Sequence, residues 1–136
     1  MSKVIKAREV KDLITEQCYF DKDEVLWHFN DQVYRLPPNS MIHALVSSFE
    51  PQTYVQEIGD CDNRAFLLAA KFVEAGFCIG LIDVKQTFLG ENHSQYLHQI
   101  CITIDDTNEV WVIEPETKKI FKTNELLEIR FVDIRT

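Results

Sequence analysis

The sequence predicts an α+β domain, with helices early and a mainly antiparallel sheet late. Three observations predict it. Apolar residues recur at helical spacing over residues 5–18 and 61–75. After Gly76 the period shortens to that of strands, in runs separated by turn residues. These runs follow one another directly instead of alternating with helices, which disfavours a βαβ plan.

Each element has its own local reason. Residues 5–18 place Ile5, Val10, Leu13 and Ile14 on one side and Lys, Glu and Asp on the other, an amphipathic helix. "EVLWHFNDQVYRLP" contains two β-rich runs around Asn30-Asp31 and ends at Pro37-Pro38, which predicts a hairpin. "NSMIHALVSSFEP" predicts a short helix capped by Asn39 or Ser40, with Pro51 past its end. Over 61–75, Ala65, Leu68, Ala69 and Phe72 share one face, and Phe66, Leu67, Ala70 and Val73 cover most of the rest. Only Arg64, Lys71 and Glu74 remain as a polar stripe, so this helix is expected at the centre of the molecule, stopped by Gly76 in the left-handed region. "FCIGLIDV", "YLHQICITI", "EVWVIEP", "KKIF" and "EIRFVDIR" then read as strands.

Composition narrows the function. A chain of 136 residues is one domain, 1–136, large enough to bury a core without staples. Its net charge of -8 disfavours nucleic acid or an anionic membrane as the main partner. "MSKVIKAREVKDLITEQ" has no apolar run suited to a signal peptide or a membrane span, so a cytoplasmic location is expected. Cys18, Cys61, Cys78 and Cys101 form no C-x-x-C pair and no zinc spacing, so free thiols and no cofactor are expected. A metal site would have to use His93, His98, Asp105 and Asp106, and the two aspartates more simply make a turn.

The chemistry-bearing stretch is "GDCDNRAFLLAAKFVEAGF". A thiol in the first turn of a helix meets the positive end of the macrodipole, which favours the thiolate. Asp60 and Asp62 push the other way, so Cys61 as a nucleophile requires a proton-accepting partner such as histidine. His98 opens an alternating row with Ile100, Ile102 and Ile104. If "DDTN" forms a three-residue loop with Asn108 left-handed, Asp105 pairs with Glu109 and Glu114 lies across from Ile100, diagonal to His98. A two-residue loop would send Glu114 to the opposite face.

The order "GDC" on a helix, "H" opening a strand and "EP" on the next strand resembles the transglutaminase-like and papain-like cysteine peptidase superfamily. It looks most like the Glu-using branch that includes a mushroom agglutinin peptidase domain and small phage or bacterial relatives. The resemblance covers roughly residues 55–122. It implies a papain/transglutaminase-like core whose central helix carries Cys61 on the sheet. It further implies Cys61 as nucleophile, His98 as general base and acid, and Glu114 as the carboxylate orienting the imidazole. The backbone N–H of Cys61 and the Gln56 side chain would form an oxyanion hole, with Tyr54 as the fallback. Gln99, after His98, stands where the family commonly has alanine.

The function expected from this resemblance is cysteine-dependent acyl transfer, as a peptidase or amidase on a peptide, protein or amide substrate. The alternative is a non-catalytic binding or regulatory protein that keeps the fold, since few residues remain beyond the core to build a substrate cleft.

Overall fold

The computed structural model describes residues 3–21, 25–50, 61–87, 95–124 and 127–136, with side chains for all of these except 61–63, 86–87 and 95–97. The chain runs β1 (Lys3–Lys6), α1 (Ala7–Gln17), β2 (Tyr19–Phe20), β3 (Leu26–Phe29), β4 (Val33–Leu36), α2 (Asn39–Ser47) and α3 (Cys61–Glu74). It continues through β5 (Ile79–Thr87), β6 (Gln95–Ile104), β7 (Val110–Glu114), β8 (Lys119–Phe121) and β9 (Leu127–Arg135). The class is α+β, as expected.

The main sheet has the order β2-β9-β5-β6-β7-β8, with β3 also on the outer edge of β9. Pairing is antiparallel from β9 to β8, and β2 and β3 join β9 in parallel. The central strands are apolar on both faces, which is what a sheet covered on both sides requires. One row, Ile82, Val84, Ile100, Ile102, Ile104, Val110 and Val112, packs with Val10 and Ile14 of α1 and with Tyr34 and Leu36 of β4. The alternate row, Ile79, Leu81, Cys101 and Ile113, packs with Ile42 and Val46 of α2 and with Ala65, Leu68, Ala69 and Phe72 of α3.

The β6–β7 connection follows the expected three-residue loop. The Asp105 N–H donates to the Glu109 carbonyl (2.9 Å), and Asn108 has φ of 70°. With Cys101 opposite Ile113 and Ile104 opposite Val110, the register continues to bring Glu114 level with Ile100. α3 ends as expected at Gly76, with φ of 80°. The N–H of Gly76 reaches the Val73 carbonyl and that of Phe77 the Phe72 carbonyl, both at 2.9 Å, closing a Schellman turn.

Three expectations require correction. β3 and β4 do not form a hairpin: β3 pairs with β9, and β4 pairs antiparallel with β1. The Asn30-Asp31 turn signal is overridden because β9 and β1 supply the backbone partners of β3 and β4. The two strands still meet through their side chains in one core cluster, where Trp27 stacks on Phe29 and Phe29 lies 6.1 Å from Tyr34. Second, α2 starts after Pro38 without a side-chain cap, although Asn39 and Ser40 are both at hand; Pro51 lies outside the described residues. Third, α3 is covered on one side only. Its Ala65–Phe72 face is buried, but Phe66, Leu67 and Val73 are exposed, and Arg64 of the expected polar stripe is buried. Among the described residues no helix is long and apolar enough to cross a membrane.

Candidate functional site

Alternation along β6 puts His98 at the end of the Ile100–Ile104 row, level with Val84 of β5. Two residues further along β6, level with Ile100, β7 ends at its last residue, Glu114, diagonal to His98. His98 Nε2 and Glu114 Oε2 lie 2.5 Å apart, with both side chains mostly buried. The second oxygen of Glu114 accepts the Glu116 backbone N–H at 3.0 Å. The carboxylate is thus held on both oxygens, and the imidazole is fixed through one ring nitrogen.

The turn after β7 continues this network to the helix. Glu116 Oε2 lies 3.4 Å from Nη1 of Arg64, whose side chain is buried on α3. One turn before Arg64, Cys61 is the first residue of α3. The helix is seated locally by Cys101, whose thiol donates to the Ala65 carbonyl at 3.2 Å. Since α3 covers the Cys101 row and His98 belongs to the alternate row, any contact between the helix terminus and the imidazole passes around the sheet end. Arg64 and Glu116 reach across that end.

Of the sequence-predicted residues, the described side chains unite His98 with Glu114. The Cys61 thiol, Gln56, Tyr54 and His93 lie outside the described residues. Gln99, noted for its bulk beside His98, turns to the other row and donates to Asp83 Oδ1 at 3.0 Å. Asp105 serves its turn, accepting from the Thr107 N–H (2.9 Å), the Thr107 hydroxyl (2.6 Å), the Glu109 N–H (3.1 Å) and Trp111 Nε1 (2.9 Å). Sequence reasoning missed Arg64 and Glu116. The available signal was a charge three residues after Cys61 and another two residues after Glu114.

The remaining thiols are poor nucleophiles. Burial pushes Cys78 up to about 12, and burial, only partly offset by Lys122, does the same to Cys18. Burial first and the Glu114 charge second raise Cys101 further.

No family model matches the chain, and no curated protein matches it. Solved structures do. A structure described as "PSL1a-E64 complex" matches with a TM-score of 0.74 at 14% identity, covering 95% of this chain and 49% of its own. A crystal structure of Polyporus squamosus lectin bound to the human-type influenza-binding epitope Neu5Acα2-6Galβ1-4GlcNAc matches at 0.71, with the same identity and coverage. The chain therefore shares its fold with about half the length of these structures.

These neighbours correct the family expectation. The resemblance implied a transglutaminase-like or papain-like cysteine peptidase, a hydrolase with a catalytic triad. The neighbours are structures of a lectin, and no family model or curated relative stands behind the peptidase assignment. The physical reason is the low information of the motif order. A helix-terminal cysteine, a strand histidine and a carboxylate on the next strand can arise together in unrelated domains that pack a helix on a hairpin. The acyl-transfer function and its peptide or amide substrate are withdrawn with the family.

Proposed function

We propose that this chain is a non-catalytic binding domain, the alternative the sequence already offered. The observation that carries the reading is the likeness of 95% of the chain to lectin structures. Carbohydrate is the ligand class to test first, because one neighbour holds a glycan epitope. The proposed site is the sheet end at His98 and Glu114, with Cys61 heading the adjacent helix and Gln56 as a further polar group. A carboxylate already held by two donors and an imidazole held in turn by it are oriented before ligand arrives, which lowers the entropy lost on binding. Free Cys18, Cys78 and Cys101 suit a reducing, cytoplasmic setting.

The experiment is an NMR titration of the 15N-labelled chain with Neu5Acα2-6Galβ1-4GlcNAc, run on the natural chain and on Cys61→Ala. Saturable shifts around His98 and Glu114 in both chains are expected; an unperturbed spectrum removes this trisaccharide as the ligand. A parallel alkylation with iodoacetamide at pH 5.5 tests the absence of catalysis. The non-catalytic reading fails if Cys61 reacts far faster than the other cysteines and Cys61→Ala abolishes a measurable amide hydrolysis.

A further inference from the structure

The uncovered side of α3 is not featureless. Between α3 and the β9 side of the sheet lies an open cavity of about 160 Å³, whose lining includes Asn30, Phe66, Ala70, Val73, Leu81 and Arg135. Its helix wall and floor are apolar, with Phe66 57% exposed. The opposite wall carries the polar groups. Arg135 Nε and Nη2 lie 3.0 and 2.9 Å from Asp133 Oδ2, and His28 Nδ1 lies 2.8 Å from Asp133 Oδ1. Asp133 is itself mostly buried.

This arrangement is that of an oriented arginine. One oxygen of a buried carboxylate takes the Nε and Nη2 side of the guanidinium, which fixes its plane and turns the Nη1 edge away from Asp133. Guanidinium edges match carboxylates with two parallel hydrogen bonds. The negative charge of Asp133 is answered on both oxygens, by Arg135 and by the His28 ring. On size, a cavity of about 150 Å³ lined by apolar side chains accepts a benzene-sized group.

We infer that this cavity binds a small apolar carboxylate: an aryl or short acyl group against Phe66, Ala70 and Val73, with its carboxylate on Arg135. The same chemistry is offered by a free acid and by a peptide chain ending in an aromatic residue. The site lies on the β9 side of α3, away from His98 and Glu114, and does not depend on the binding reading above.

The test is a 15N NMR titration of the full chain with 3-phenylpropanoate, 3-phenylpropanamide and N-acetylphenylalanine. Saturable shifts at Asn30, Phe66, Ala70, Val73 and Arg135 are expected with both acids, with the amide at least tenfold weaker. The tighter of the two acids identifies a free acid or a chain terminus as the source. Arg135→Met should weaken the acids at least tenfold without changing the weak amide. Ala70→Leu, at an exposed position, should block all three probes while leaving the rest of the spectrum in place. Equal affinity for acid and amide, unchanged binding in Ala70→Leu, or shifts confined to other surfaces would overturn the assignment.

Discussion

Asp105 shows how one side chain holds a turn that the site depends on. It is 3% exposed, and its carboxylate gathers the N–H groups of Thr107 and Glu109, the Thr107 hydroxyl and the Trp111 indole. Burial alone raises its pKa, but the hydrogen bonds from Thr107, Trp111 and Glu109 outweigh it and hold the carboxyl below its ordinary value. A carboxyl depressed on folding contributes stability above its unfolded pKa of about 3.9, and loses it as pH falls through the folded value. Asp105→Asn keeps the shape but removes the charge and turns an NH2 toward donors. It should cost about 2 kcal/mol at pH 7, in line with hydrogen bonds to a charged group. Urea unfolding of both chains at pH 7 and at pH 2.5 checks this: the difference should shrink at the lower pH. A constant difference would mean that the charge is not what holds the loop. The loop chemistry was legible in "DDTN", because left-handed Asn and turn-forming Asp act through their own backbone. Arg64 was not legible, because burial of a charged residue depends on Glu116 arriving from the distant turn after β7.

At the scale of elements, α3 separates what a periodic pattern tells from what it leaves open. Its Ala65, Leu68, Ala69 and Phe72 face is buried, as the spacing required. The sequence also carries apolar residues around most of the circumference, which predicts a central helix, polar only along the Arg64, Lys71 and Glu74 stripe. The sheet offers α3 only one face, and α2 touches it on one flank, so Phe66 stays 57% exposed while Phe72 is wholly buried. The two phenylalanines should therefore differ sharply. Phe72→Ala should cost about 3–5 kcal/mol, the usual range for a buried aromatic. Phe66→Ser should lie within about 0.5 kcal/mol of the natural chain, as exposed substitutions do. Thermal or urea melts of both variants decide the matter, and comparable losses would mean that the outer face of α3 is buried after all. The missed β3–β4 hairpin has the same cause as the exposed Phe66. Local signals identify strands and turns, but partners are chosen by which surfaces can bury the most area, and that is a property of the whole chain.

Across the whole molecule, the last strand closes the structure. β9 lies between β5 on one side and β2 and β3 on the other. β2 and β3 therefore wait for the C-terminal residues, as the His28–Asp133 contact at a sequence separation of 105 illustrates. The order of strands along the sequence gave α+β correctly, yet it could not give this insertion, since nothing in "EIRFVDIR" names β5 rather than β8 as its neighbour. The consequence is energetic and kinetic. Ile129, Val132 and Ile134 of β9 are essentially fully buried. At about 1.5–3 kcal/mol for each such side chain, the three contribute about 4.5–9 kcal/mol of gross burial, comparable in size to a typical net stability of about 5–15 kcal/mol. Removing residues 127–136 should abolish cooperative urea unfolding and the near-UV circular dichroism of Trp27 and Trp111. Refolding of the intact chain should also be slow, on the order of milliseconds to seconds, because non-local pairing must close long loops before it is rewarded. Stopped-flow fluorescence measures that rate. A cooperative transition in the shortened chain, or refolding of the intact one in microseconds, would place the nucleus of the fold in the β5–β6–β7 hairpins with α3 and make β9 an addition to a structure already formed.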